Sequence, residues 1–303
     1  MQSRMSILTI KLLLIAFAGV IAGCNHNHSK RIESSNESRL ATNTVKDCAG
    51  EHSADAKLRT VSIVPQFSAS RIHSDYWPLL TEIGKRTNIC FKLEQQKSIP
   101  SFEVGLKSGS YDYAFMNPYH QVMVSDIYQP IIRDKQRLLT GIIVTKKGSN
   151  INSVQQINGR TLLLPAPNAF GASLLTRAYL DKKNIKFNPK YVKTHQNVYR
   201  GVARDSELIG GGVNNTFNRE SEELRSNLSV LVETPGYPAH PFSALKELPP
   251  EEIKNVQNAW ITISKDSNSK NLFRQVQIKI PIKANYTQDY APLKNLRLEK
   301  YVQ

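Results

Sequence analysis

Short β-branched runs alternate with helical patterns along most of this 303-residue chain, and that alternation limits the folds open to it more than any other feature. Residues 60–64 form a β-branched run closed by Pro65. The spacing of Trp77, Leu80 and Ile83 predicts a helix over 74–87, with Ser74 as N-cap and Pro78 in the first turn. Further strands are predicted at 89–93, 111–116 and 138–144, and a helix through Phe102, Val104 and Leu106 ends near Gly109. In the second half, strands at 159–164 and 190–192 flank a helix over 171–183, and strands at 209–213 and 228–232 follow. The pattern implies an α/β protein in three layers, with parallel sheets covered by helices on both faces.

The N-terminus follows other rules. Arg4 and Lys11 give a basic start without acidic residues, and 12–23 is apolar and uncharged. That run is shorter than the ~20 residues needed to cross a bilayer, and it has the form of a signal peptide over 1–23. Its end, Ile21, Ala22 and Gly23 before Cys24, resembles a bacterial lipobox. The resemblance implies cleavage before Cys24 and a lipid on its thiol; an ordinary secretory signal with an incidental cysteine is the blander alternative. Residues 25–57 contain no aromatic side chain and only scattered aliphatic ones, too few to offset the entropy of ordering. Residues 24–57 therefore read as a lipidated cysteine and a flexible tether. His26 and His28 in that stretch read as solvated polar residues rather than metal ligands. Cys48 and Cys90 remain, and an oxidising compartment favours a bridge between them over two free thiols.

The body carries a family resemblance. Asn117, Pro118, Tyr119 and His120 end a predicted strand; 165–173 joins a strand to a helix; 194–199 precedes a helix and the strand with Gly210, Gly211 and Gly212. Together with Asp289, Tyr290, Pro292 and Leu293, these motifs resemble the phosphate/phosphite/phosphonate substrate-binding proteins of ABC transporters. The resemblance spans about residue 58 to the end. It implies a type II periplasmic-binding-protein fold, two three-layer α/β lobes joined by two hinge strands with ligand between them. By that analogy lobe 1 is 58–145 plus 235–303, and lobe 2 is 146–234.

The residues of such a cleft can be assigned chemistry. An oxyanion needs donors, and a helix N-terminus offers unpaired N–H groups and a positive dipole end. Asn168, Ala169, Phe170 and Gly171 stand at one, with Ser173 in the first turn; Ala169 and Phe170 replace hydroxyl residues common in relatives. A well-capped strand–helix junction without a ligand is the alternative reading of this turn. The resemblance places His195 against the ligand as a donor, as an imidazolium if an anion raises its pKa, with Tyr199 one turn away. In lobe 1, Asn117, Tyr119 and His120 follow a strand's C-terminal end, where open α/β sheets bind ligands. Phe67, Ser68 and Ser70 occupy the matching loop after the first strand, as ligand contacts or as helix caps. Leu208 aligns with an acidic position of relatives that meets ligand ammonium groups, which favours phosphate, phosphite or a small alkylphosphonate over an aminophosphonate.

No P-loop lysine, His-Glu-x-x-His or Gly-x-Ser-x-Gly motif is present, and the body histidines match no compact metal pattern. The expectation is a binding protein, not an enzyme, with no cofactor or metal, acting as a membrane-anchored monomer on the extracytoplasmic or periplasmic face. Its partners would be a small oxyanion, an ABC permease with its ATPase, and the membrane through the lipid. The alternatives are a sensory lipoprotein of the same fold with a membrane signalling partner, and a ligand-free structural lipoprotein. Of the formal charge of +15, Arg4 and Lys11 account for +2, and the remaining +13 is shared by both lobes without a long basic run. That suits a field drawing small anions to a cleft, or contact with anionic headgroups, better than a nucleic-acid stripe.

Overall fold

Ser68, not Ser74, starts the first helix. The computed structural model describes residues 47–302, so the expected signal peptide, Cys24, His26, His28 and the tether up to 46 lie outside the described residues. The helix Ala69–Thr87 is capped by the Ser68 side chain, which accepts from the Arg71 N–H, and it ends at Asn88 in the left-handed region. Its buried face already begins at Ile72. Pro78 is interior and removes the N–H that would donate to the Ser74 carbonyl. Both residues are exposed, so water can satisfy that carbonyl. The sequence signals of a serine and a proline are real, but they sit on the wet face of a helix already under way.

Residues 47–57, expected as the end of a tether, are instead built into the domain. Ala49 and Gly50 pair antiparallel with Phe91 and Cys90, and a disulfide joins Cys48 to Cys90 with Cα atoms 5.4 Å apart. Gly50 has φ +134°, and a Cβ there would stand 2.2 Å from the Ile89 carbonyl oxygen. Only glycine lets this strand cross the end of the first helix so closely.

Two mixed sheets follow from the chain's alternation. The first has the order Ala49–Gly50, Ile89–Glu94, Lys57–Ile63, Tyr113–Phe115, Phe242–Leu245, Tyr128–Asp134, Pro281–Lys283. The second has the order Leu228–Glu233, Gly141–Lys146, Ile209–Val213, Thr161–Leu164, Asn188–Tyr191. The strands joined by helical crossovers are parallel in both. Strands on which the chain passes between the sheets or returns run antiparallel, which the expectation of parallel sheets did not include.

The strand expected over 138–144 is broken at Thr140. Leu138–Leu139 pairs with Tyr237–Pro238 as a separate two-stranded ladder, while Gly141–Lys146 enters the second sheet. The segment 141–145, expected at the end of lobe 1, therefore pairs with Ile209–Val213 and Leu228–Glu233 in the second sheet. Space explains the break: a Cβ on Gly141 would lie 2.5 Å from the Gly171 carbonyl oxygen, so the strand starts where a helix terminus rests on it.

Each sheet has its own core. In lobe 1, Tyr113 stacks on Phe242 with ring centres 5.7 Å apart, and Phe242 packs on Trp260 of the helix Pro250–Lys265 at 5.0 Å. In lobe 2 the strand Ile209–Val213 is wholly buried. A Cβ on Gly211 would meet the Ala172 carbonyl oxygen at 2.2 Å, and one on Gly212 would meet Tyr199 Oη at 2.6 Å. Alternating glycine faces thus admit the helix starting at Phe170 on one side and the helix His195–Arg204 on the other.

Candidate binding cleft

The strand Thr161–Leu164 ends in a turn that leads into Phe170–Leu175, a wide π turn continued by the α-helix Thr176–Lys182. Ser173 N and Leu174 N both donate to the Ala169 carbonyl, at 2.8 and 3.1 Å. The N–H groups of Phe170, Gly171 and Ala172 stand at the helix start, ahead of any turn that could accept from them. Gly171 is there for packing: a Cβ would come within 2.7 Å of Leu139 and 2.8 Å of Val213 side-chain carbons.

This terminus closes one side of a cavity of about 10 Å³ between the two sheets. Gln66, Asn117 and His240 face it with Val64, Ile99 and Leu139; from lobe 2 come Ala169, Phe170, Gly171, His195 and Val213. A space of that size holds about one water. Among the described residues, no Lys, Arg, Asp or Glu lines it.

The polar lining is held in place by a buried network. Gln277 Nε2 donates to Gln66 Oε1 at 2.7 Å, so the Gln66 amide must present its Nε2 to His240 Nε2, 3.0 Å away. His240 Nε2 is then the acceptor, and its proton sits on Nδ1, which is buried without a protein partner. His195 Nδ1 is likewise buried and unpartnered. Burial pushes the His195 pKa down to about 3. Burial, with His120, His195 and Arg137 nearby, also holds His240 well below the usual value. Both rings are neutral here. His195 lines the cavity as a neutral ring and not as the expected imidazolium, because burial excludes the water that would solvate the charge.

A second cluster ties the lobes together beside the cavity. Glu103, on the helix Ile99–Lys107, accepts from His120 Nε2 and from Asn168 Nδ2, each at 2.9 Å. Burial alone would raise this carboxyl, but hydrogen bonds from His120 and Asn168 outweigh it and hold the pKa below the ordinary range. Asn117 caps the helix Pro118–Met123 by accepting from His120 N, and its Nδ2 donates to the Asn168 carbonyl at 3.4 Å. At the rim, Arg219 pairs with Asp75 across the cleft.

A sequence model of the ABC transporter phosphonate periplasmic substrate-binding proteins matches residues 61–290. The chain belongs to this family. The binding-protein component of an ABC phosphonate transporter from Pseudomonas aeruginosa aligns with a TM-score of 0.73, at 16% identity, over 81% of this chain and 87% of its own. A protein from Prochlorococcus marinus, solved in complex with methylphosphonate, aligns at 0.72 and 15% identity over 82% and 100% of the two chains. A Xanthomonas citri protein bound to chloride aligns at 0.68 and 14% identity, over 81% and 99%. These likenesses establish the type II periplasmic-binding-protein fold. No curated protein sequence matches the chain.

Within this phosphonate-family binding protein, Asn117, Ala169, Phe170, Gly171 and His195 of the expected set line the cavity. The others lie elsewhere. His120 and Asn168 are engaged with Glu103. Ser173 Oγ donates back to the Ala166 carbonyl at 2.6 Å, and Tyr199 Oη is 2.8 Å from Thr216 Oγ1, both fully buried. Tyr119 is half-buried in an apolar cluster with Phe170, Leu293 and Leu298, outside the cavity. Phe67 lies between two guanidinium groups, 4.2 Å from Arg71 and 4.7 Å from Arg219. Ser68 acts as a cap, and the exposed Ser70 rests 3.2 Å from its hydroxyl.

Leu208 precedes the strand Ile209–Val213 at the end opposite Val213, the residue that reaches the cavity. Four residues at ~3.4 Å each separate the two ends, so Leu208 has no part in ligand charge. Gln66, His240 and Gln277 went unread. Gln66 was legible, since it follows directly on Pro65 at a strand's C-terminal end. Glu103 was not, because helix glutamates usually face water.

Proposed function

We propose that this protein is a lipid-anchored, extracytoplasmic solute-binding component of an ABC importer that captures a phosphite, phosphate or small alkylphosphonate between its lobes. The cavity at the helix terminus beginning at Phe170 carries the reading. Backbone N–H groups, neutral imidazoles and amides converge on it without a cation. Neutral donors can stabilise an oxyanion by hydrogen bonding while excluding larger solvated anions. The absence of a carboxylate from the lining supports a ligand without an ammonium group; both oxygens of nearby Glu103 are already engaged.

A cavity of about 10 Å³ is smaller than any phosphorus oxyanion. Ligand therefore enters with the lobes apart, and the liganded closure is wider than this one. Differential affinity for that closure shifts the population, and the closed monomer is what the permease with its ATPase would recognise. Lipid on Cys24 would keep the protein at the membrane, and intact mass of the mature protein checks it.

Isothermal titration against methylphosphonate, phosphite, phosphate and 2-aminoethylphosphonate tests the ligand class. The expectation is saturable 1:1 binding of at least one of the first three, weakened by His195→Ala. Tighter binding of the amine would overturn the ligand class, and no heat or thermal shift with any of the four would overturn the oxyanion reading.

A further inference from the structure

Outside the cleft, Cys48, His52 and Cys90 bring their ligand atoms within 4.8 Å of one another. We propose that the bridge between Cys48 and Cys90 masks a zinc site, which opens when a dithiol reductant cleaves the disulfide. Two electrons and two protons convert the bridge to two thiols, and the dithiol becomes a disulfide. On binding Zn²⁺, both thiols release their protons and coordinate as thiolates, with neutral His52 Nδ1 as third ligand.

Two observations carry this beyond a coincidence of residue types. The first is distance. Tetrahedral zinc with ordinary bond lengths needs about 3.6 Å between a nitrogen and a sulfur ligand and about 3.8 Å between two sulfurs. His52 Nδ1 already lies 3.6 Å from Cys90 Sγ and within 4.8 Å of Cys48 Sγ, so a displacement of the Cys48 side chain completes the geometry. The second is support that does not depend on the disulfide. Ala49 and Gly50 pair with Phe91 and Cys90 in the sheet, and Glu51 N donates to the Ile89 carbonyl at 3.0 Å. These bonds hold the two cysteine backbones together after reduction. Both cysteines are buried and His52 is exposed, so the fourth coordination position faces water. The site is therefore of the open kind, with three protein ligands and a solvent molecule.

Cobalt(II) reports on the site through its thiolate charge-transfer absorption. The full chain carrying Cys24→Ala, which leaves only these two cysteines, is reduced with tris(carboxyethyl)phosphine and titrated with Co²⁺. One equivalent should produce the absorption and Zn²⁺ should abolish it, while the oxidised chain should give none. His52→Ala should weaken binding by at least about tenfold, with the aromatic near-ultraviolet circular dichroism unchanged by reduction or by the substitution. Three results would each overturn the proposal: no thiolate absorption in the reduced chain, identical titration of His52→Ala, or loss of the aromatic near-ultraviolet signal on reduction.

Discussion

Replacing Glu103 by alanine is the sharpest test of how the two lobes are joined. The substitution removes the carboxylate that accepts from His120 Nε2 and Asn168 Nδ2, in residues 0% and 4% exposed, while Asn117 Nδ2 stays 3.0 Å from His120 Nε2. A buried polar group left unsatisfied costs ~1–3 kcal/mol, and a hydrogen bond to a charged group is worth ~1.5–3 kcal/mol. Relief of the desolvation of the carboxylate offsets part of this, so we expect a loss of about 3 kcal/mol in urea unfolding at pH 7. The loss has a defined pH dependence. The carboxyl is held below its ordinary 4.5, so its contribution is complete above that value and disappears as pH falls through the depressed native one. Wild type and Glu103→Ala should therefore converge on acidification. Asn168→Ala should be non-additive with it by at least about 1 kcal/mol, because one hydrogen bond is shared. A loss under about 1 kcal/mol at pH 7, or a difference that persists unchanged in acid, would refute the account of this cluster as a paired, charged tie.

Three other outcomes follow. His195 binds a proton in the unfolded chain below pH 6.5 but not in the native one until about 3, so stability should fall across that window by up to ~1.4 kcal/mol per pH unit. His195→Leu should flatten the slope measured by urea unfolding, and an unchanged slope would show that the ring is not buried neutral. Gly211→Ala forces a Cβ to 2.2 Å from the Ala172 carbonyl oxygen, so it should cost at least ~1–3 kcal/mol of strain and weaken ligand binding by displacing the helix terminus; calorimetry and thermal melts read both. Reducing the Cys48–Cys90 bridge, across a separation of 42 residues, should lower unfolding stability by ~2–4 kcal/mol, and a chain that melts at the same temperature with and without reductant would contradict that.

The local chemistry of the cleft was legible because it depends on short stretches. The turn from Asn168 to Gly171 announces a helix start by its position after an apolar strand, and His195 stands at the start of the next helix. Caps misled where two were available: Ser68 and Ser74 carry the same signal, and only the buried face from Ile72 onward chooses between them. The interrupted strand at Thr140 gave no local sign, because the break comes from Gly171 resting on Gly141, 30 residues away in the chain. Tyr119 shows the same limit. It follows a strand's C-terminal end, as ligand residues often do, yet packing against Leu293 and Leu298 from the far end of the chain turns it out of the cavity.

The family was read from a resemblance in motif order, while periodicity and local sequence sufficed for the α/β class and the place of the helix terminus that faces the cleft. The last two follow from interactions within a few residues or from the hydrophobic period. Which polar groups meet was decided only by tertiary structure. Gln66, His240 and Gln277 are far apart in the chain and acquire defined donor and acceptor roles only when the folded backbone buries them together. The neutral state of His195 has the same origin, since exclusion of water by both lobes, rather than anything in the residues beside it, sets its charge.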